Sequence, residues 1–282
     1  MNGSHGRVSN FLNDMARSSE RRVAEAARLE PIGALERRAR HTAPAPPLRL
    51  SAAGFDVIAE LKLRSPAAGA LRDAAEDWLA RVASYARAGA AAVSVLTEPS
   101  RFDGSLEHLR RAAEVLAPLG VPAMRKDFIV DPYQVLEARA AGAGGVLVIL
   151  RMLPRARIEE LLTAAADHDL FVLLEAFDEA DVQLARDLAG AQQGRRAPWL
   201  LGINCRDLET LEVVQARFAA LAPQLPEDWP AVAESGVATP ADARQMRRLG
   251  YRLALIGTAL MRSEDPGALL ADIFAASRTV PP

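Results

Sequence analysis

Beyond residue 55 the chain alternates short apolar runs with amphipathic stretches of helical period, and this alternation restricts its folds more tightly than any other feature. The runs cover residues 57–62, 92–96, 122–126, 146–150, 171–175, 200–204, 231–234 and 253–256. Between them, residues 77–88, 106–116, 132–141, 155–166, 179–188 and 241–249 carry helical patterning. Eight strands, each followed by a helix and spread over about 220 residues, predict a closed (β/α)8 TIM barrel, an α/β fold. An open doubly wound sheet shares the alternation, but no G-x-G-x-x-G follows the first strand. The expected division is an N-terminal helical extension and linker, residues 1–50, packed on a catalytic barrel of residues 51–282. Residues 7–40 read as helical and end at the proline-rich 41–50 (HTAPAPPLRL). The stretch 190–198 (GAQQGRRAP) falls on the bottom face of such a barrel, where its arginines are expected to be solvated.

Charge and cysteine content narrow the function. With 34 basic and 36 acidic residues the net charge is −2, which argues against a nucleic-acid partner. Apolar runs such as 146–150 fall far short of the ~20 residues of a membrane helix. Residues 1–22 are polar and show no apolar signal segment, so a cytoplasmic protein without membrane contact is expected. A single cysteine, Cys205, excludes an internal disulfide framework and suits a reducing compartment.

The basic residues carry a sharper signal. All but two of the 34 are arginine; the exceptions are Lys62 and Lys126. An ammonium can give up a proton when desolvated and delivers a compact charge, which a guanidinium cannot do. Lys62 ends the first predicted strand and Lys126 the third, and barrel active sites form at the C-terminal ends of strands. Carboxylates obey the same rule. Glu60 shares a strand face with Lys62, Glu175 ends the fifth strand and Glu234 the seventh. Asn204 ends the sixth, with Arg206 just beyond. Interleaved ammonium and carboxylate groups in a barrel mouth offset each other's burial and shift each other's pKa, the condition for acid–base chemistry. A structural ring of ion pairs is the bland alternative.

No metal is expected. The histidines His5, His41, His108 and His168 fall in the tail or on helices, and two lysines would compete with a cation held by Glu60, Glu175 and Glu234. Cys205 differs in strand parity from Asn204 and reads as a packed residue, not a nucleophile. The loops after strands seven and eight, with Ser235-Gly236 and Gly257-Thr258, suit a phosphate, since glycines let backbone N–H groups approach an anion closely.

These residues lie in motifs similar to those of the indole-3-glycerol-phosphate synthase family: IAELKLRSPAAG (58–69), SVLTEPSRFDGSLEHL (94–109) and MRKDFIVDPYQVLEARAAGA (124–143). LLEAFDEADV (173–182), GINCRDLETLEV (202–213), AESGVATPADA (233–243) and LIGTALM (255–261) continue the resemblance in the family's order. It implies ring closure, decarboxylation and dehydration of 1-(2-carboxyphenylamino)-1-deoxyribulose 5-phosphate in tryptophan biosynthesis, without a cofactor. By the same resemblance Lys126 is the general acid at the ketone oxygen. Glu175 stabilises charge on the anilino nitrogen and acts as base in dehydration. Lys62 pairs with the substrate carboxylate or protonates the departing hydroxyl, Glu60 tunes a lysine, and Asn204 holds Glu175 or a substrate hydroxyl. Ser65, Ser235, Gly236, Gly257 and Thr258 match phosphate-binding positions, Arg206 and Glu234 line the site, and Phe102 and Phe128 wall the aromatic ring. The implied partner is a phosphorylated small molecule, and the chain is expected to be a monomer or weak homodimer.

Five positions depart from the family pattern: Ala67 and Ala68 in the SPSKG-like loop, Cys205 within Asn-Asn-Arg, Phe177 for a frequent histidine and Gly144 for aspartate. They leave open a paralogue that takes a substituted anthranilate-derived substrate in a specialised pathway. A Schiff-base aldolase acting on a phosphorylated sugar is the chemical alternative, because a barrel lysine near carboxylates can attack a carbonyl. A related barrel, phosphoribosylanthranilate isomerase, needs a cysteine near the first strand's end, where 61–63 has none.

Overall fold

The computed structural model describes residues 10–52, 54–65, 69–70, 77–191 and 198–279. The loop alanines Ala67 and Ala68, residues 192–197 of the bottom-face stretch, residues 1–9 and the side chain of Ser65 lie outside the described residues.

Eight parallel strands close a barrel: β1 (Asp56–Leu61), β2 (Ala92–Leu96), β3 (Ala123–Lys126), β4 (Gly145–Ile149), β5 (Phe171–Ala176), β6 (Trp199–Asn204), β7 (Ala231–Glu234) and β8 (Leu253–Ile256). Each pairs with its sequence neighbours, and β1 closes the ring on β8 in the register Asp56↔Leu253 to Ala59↔Ile256. Every expected strand forms, with bounds within one residue of the apolar runs. The strands are buried on both faces, which is why their sequences read as nearly unbroken apolar runs.

Strand alternation sorts the core into two layers. Residues such as Ile58, Met124, Leu147, Leu173, Leu200, Val232 and Leu253 point inward and fill the barrel. Their neighbours Val57, Ala59, Val146, Val148, Leu174 and Leu201 point outward and pack under the helices. Glu60, Lys126, Glu175, Asn204 and Glu234 have the inward parity, one step above the apolar filling. The fold therefore brings them together without any special loop.

The N-terminal segment departs from expectation in one respect. It is not one helix but two, α1 (Asn10–Leu29) and α2 (Ile32–His41), with Pro31 starting the second at φ −58°. Proline lacks the N–H that a continuous helix needs, so the break is dictated locally. Leu35 and Ala39 of α2 pack on Tyr133 and Leu136 of the helix Pro132–Ala140, and the Tyr133 hydroxyl donates to the carbonyl of Glu30 at 2.9 Å. The first turns of α1 lie over the barrel mouth, where Phe11 meets Phe128 edge-on at 5.8 Å.

Candidate active site

A cavity of about 450 Å³ opens at the C-terminal end of the strands. It is lined by Glu60, Lys62, Lys126, Glu175, Asn204, Arg206, Glu234, Ser235, Gly236, Gly257 and Thr258, together with Phe102 and Phe128. All the expected site residues whose side chains are described thus converge on one space.

Lys126 is the electrostatic centre. Its Nζ lies 3.2 Å from Glu175 Oε2 and 3.8 Å from Glu234 Oε2. Burial alone would lower its pKa, but the fields of Glu175, Glu234 and Glu60 outweigh that and hold it above the ordinary lysine value. Lys126 is therefore an ammonium at neutral pH. Lys62 donates to Glu60 Oε1 at 2.7 Å, so each lysine has its own nearest carboxylate.

Glu234 is the costly member. Both carboxyl oxygens are buried and lack a hydrogen-bond partner within ordinary distance. Burial first, and the charge of Glu175 second, raise its pKa well above the usual value, and Lys126 opposes this only in part. Two absent side chains make room for the acidic cluster. A Cβ on Gly202 would collide with Glu234 Oε1, and one on Gly257 would collide with Glu60 Oε1. These glycines serve close approach, since neither has a positive φ.

The raised Glu234 value has a signed consequence for stability. A carboxyl whose pKa is higher folded than unfolded favours the fold below its unfolded value, near 4.3, and loses that contribution as pH rises through its folded value. Stability of Glu234→Gln relative to the parent is therefore expected to improve as pH rises from about 5 to the folded value of Glu234 and to level off beyond it. Urea melts of both proteins across pH 5–9 check this, and a difference independent of pH would contradict it.

Of the two partners expected for Asn204, Glu175 or a substrate hydroxyl, the first is not engaged here. Asn204 Oδ1 accepts from the Arg206 backbone N–H at 2.9 Å, and it makes no hydrogen bond to Glu175. The two residues end adjacent strands, but the turn after β6 claims the amide oxygen first. Arg206 lines the cavity, while its Nη1 donates to the Leu211 carbonyl and stays with its own loop.

Across the mouth, Ser235 holds a left-handed φ of 66°, uncommon for a residue with a Cβ. This turns the Ser235-Gly236 backbone toward the cavity rim beside Gly257, which caps the short helix Thr258–Arg262. The free N–H groups at that helix start, together with the Ser235 and Thr258 hydroxyls, suit an anionic group. Cys205 is buried beneath this rim. Burial pushes its thiol up to about 12 against a lowering pull from Arg217, which removes it as a nucleophile near neutral pH.

Several wall residues escape sequence reasoning. Phe11 and Leu12 reach the cavity from α1, and Leu96, Leu147, Ile149 and Leu208 complete the apolar side. Phe102 and Phe128 stand 6.3 Å apart between ring centroids, and Phe11 adds a third ring. The strand-end rule could have found Leu96 and Ile149. Phe11 lies over 100 residues from its contacts and left no local signal.

Comparison with known proteins agrees with this geometry. The family model for indole-3-glycerol phosphate synthase matches residues 12–273. An indole-3-glycerol phosphate synthase of Polaromonas sp. is 38% identical over 95% of this chain and 99% of that protein. The Parafrankia sp. protein of that name is 44% identical over 80% of each chain, and the Bordetella pertussis one 41% over 80% and 82%. Solved structures of a Salmonella typhimurium 3-hexulose-6-phosphate synthase (TM-score 0.59, 12% identity, 79% of this chain and 98% of that one) and a Mycobacterium tuberculosis tryptophan synthase (0.56, 16%, 88% and 99%) share the fold. A family match across nearly the whole length, with the acid–base cluster intact at its mouth, means that this chain belongs to the indole-3-glycerol phosphate synthase family.

Proposed function

We propose that the chain converts 1-(2-carboxyphenylamino)-1-deoxyribulose 5-phosphate to indole-3-glycerol phosphate, carbon dioxide and water. The observation that carries this reading is a charged Lys126 held among carboxylates, between an aromatic wall and an anion-binding rim. The phosphate would rest on Ser235-Gly236 and Gly257-Thr258, and the anthraniloyl ring among Phe11, Phe102 and Phe128. As the ring carbon attacks the ketone, the oxygen becomes an alkoxide. An alkoxide is a stronger base than even a stabilised lysine amine, so Lys126 would protonate it. Loss of carbon dioxide then restores aromaticity. Glu175, 3.2 Å from Lys126, is suited to balance positive charge on the anilino nitrogen and to take a proton during dehydration. Lys62 would meet the substrate carboxylate or the departing hydroxyl.

A Schiff-base aldolase is less well supported, because imine formation needs a neutral amine and Lys126 is held charged. The division into an extension, 1–50, and a barrel, 51–282, is part of the proposal and is supported by the contacts of α1 and α2. Among the described residues no helix is long and apolar enough to cross a membrane; a cytoplasmic monomer or weak homodimer, without nucleic-acid partner, is the reading we adopt. The test is direct: purified protein given the substrate should produce indole absorbance, and its absence would reject the activity. A panel of ring-substituted analogues separates the unsubstituted substrate from the specialised alternative, which predicts a higher kcat/KM on a substituted ring.

A further inference from the structure

Lys126 faces the cavity, but the charged groups of its two neighbours, Arg125 in the strand and Asp127 just past its end, are held on the other side. Arg125 points outward, Asp127 touches the cavity wall but turns its carboxylate toward Arg125, and both are buried. Arg125 donates to Thr97 Oγ1 at 3.1 Å, to the Gln134 carbonyl at 2.7 Å, to Glu137 Oε2 at 2.9 Å and to Asp127 Oδ2 at 3.0 Å. Asp127 also accepts from Thr97 Oγ1 at 2.7 Å and from the Phe128 N–H at 2.8 Å. Its remaining partner comes from outside the barrel. Arg22 of α1 grips it with both terminal nitrogens, at 3.0 and 2.8 Å. One turn earlier, Ser19 donates to the Phe128 carbonyl and accepts from Arg22 at 2.8 Å and from Gln134 at 3.1 Å.

Burial alone would raise the Asp127 pKa, but Arg125 and Arg22 outweigh it and hold the carboxyl well below the usual range. The clamp is therefore charged at every physiological pH. A bidentate guanidinium–carboxylate pair fixes orientation as well as distance. Side chains alternate along a strand, so holding residues 125 and 127 from behind fixes the peptide units that aim residue 126 forward.

Resting on the function proposed above, we infer that Arg22 is a positioning residue: α1 holds Lys126 at its working angle through the Arg22–Asp127 pair and the Ser19–Phe128 bond. The extension then does more than wall the cavity with Phe11 and Leu12; it sets the aim of the proton donor from behind. The phosphate rim lies on β7 and β8, outside this clamp, so substrate affinity should be largely spared.

The test compares Arg22→Met, Arg22→Lys and a control, Arg278→Met. Arg278 pairs with Asp56 Oδ1 at 3.2 Å at the opposite end of the barrel. At a temperature where circular dichroism shows all variants folded, Arg22→Met should lose 10- to 100-fold in kcat with KM within threefold of the parent. Arg22→Lys, which keeps the charge and a donor, should recover at least half of that loss on a logarithmic scale. Arg278→Met should keep kcat within twofold whatever its melting temperature. The inference is overturned if Arg22→Met keeps kcat within twofold, if its loss lies in KM, if Arg22→Lys recovers nothing, or if the control loses kcat equally. Should Arg22→Met not fold, Ser19→Ala takes its place: a three- to tenfold loss in kcat supports the inference and an unchanged kcat overturns it. A parent protein without turnover refutes the activity itself, and the inference with it; an active parent with unaffected Arg22 variants refutes the inference alone.

Discussion

Replacing Lys126 with methionine is expected to lower kcat by about 10²–10⁴-fold, the range over which a positioned general acid contributes. Each factor of ten corresponds to about 1.4 kcal/mol of barrel-mouth chemistry lost from the transition state. The expectation follows from position: Nζ is the only ammonium between Glu175 and Glu234 in the described cavity. Methionine keeps most of the stem and its packing but carries no proton, so the fold should persist. Glu175 and Glu234 would then face each other without that ammonium, and Glu234, whose pKa burial and the Glu175 charge already raise, would bind a proton more tightly. Because Lys126 has a higher pKa folded than unfolded, its contribution to stability is full below about pH 10.4 and fades only as pH rises through its folded value. Steady-state kinetics at pH 7.5 with parallel melts from pH 7 to 11 check both parts. A kcat within tenfold of the parent would remove Lys126 from the chemistry.

The second large effect is expected at Glu175. Glutamine is nearly isosteric but cannot balance a developing cation or accept a proton, so Glu175→Gln should lose about 10²–10³-fold in kcat. The Lys126 ammonium remains held by Glu234 and Glu60, so the loss reports on Glu175 itself. Removing the Glu175 charge also relieves Glu234, whose pKa that charge raises, and lets it ionise beside Lys126. The variant should therefore melt close to the parent while turning over far more slowly. Rate and melting curve together check this, and a loss in proportion to unfolding would contradict it.

Most of the scaffold was legible because barrel strands are buried on both faces and read as apolar runs, while the helices between them keep one polar face. The place of the candidate site was legible for a related reason. A charged residue of inward parity at the end of such a run faces the mouth, and Lys126, Glu175 and Glu234 do, with Lys62 beside them. The break at Pro31 has a local cause that the reading of 7–40 as one helical segment passed over, since proline cannot continue a helix. Contacts set by tertiary approach were not legible. Phe11 and Arg22 reach β3 across more than 100 residues, and nothing in their local pattern names Phe128 or Asp127 as partners. The partner of the Asn204 amide oxygen was not legible either, because a neighbouring backbone N–H competes for it.

The claim on which the rest depends is that Lys126 is kept charged by the carboxylates around it and is ready to deliver a proton. With only two lysines in the chain, ε-13C-lysine labelling gives two side-chain resonances, and Lys126→Met assigns them. A pH titration followed by NMR should show the Lys126 signal still in its ammonium form at pH 10.4, where an ordinary lysine is half deprotonated. A Lys126 resonance that titrates near or below neutral pH would mean a neutral amine in the resting site, and the account of its proton donor would be wrong.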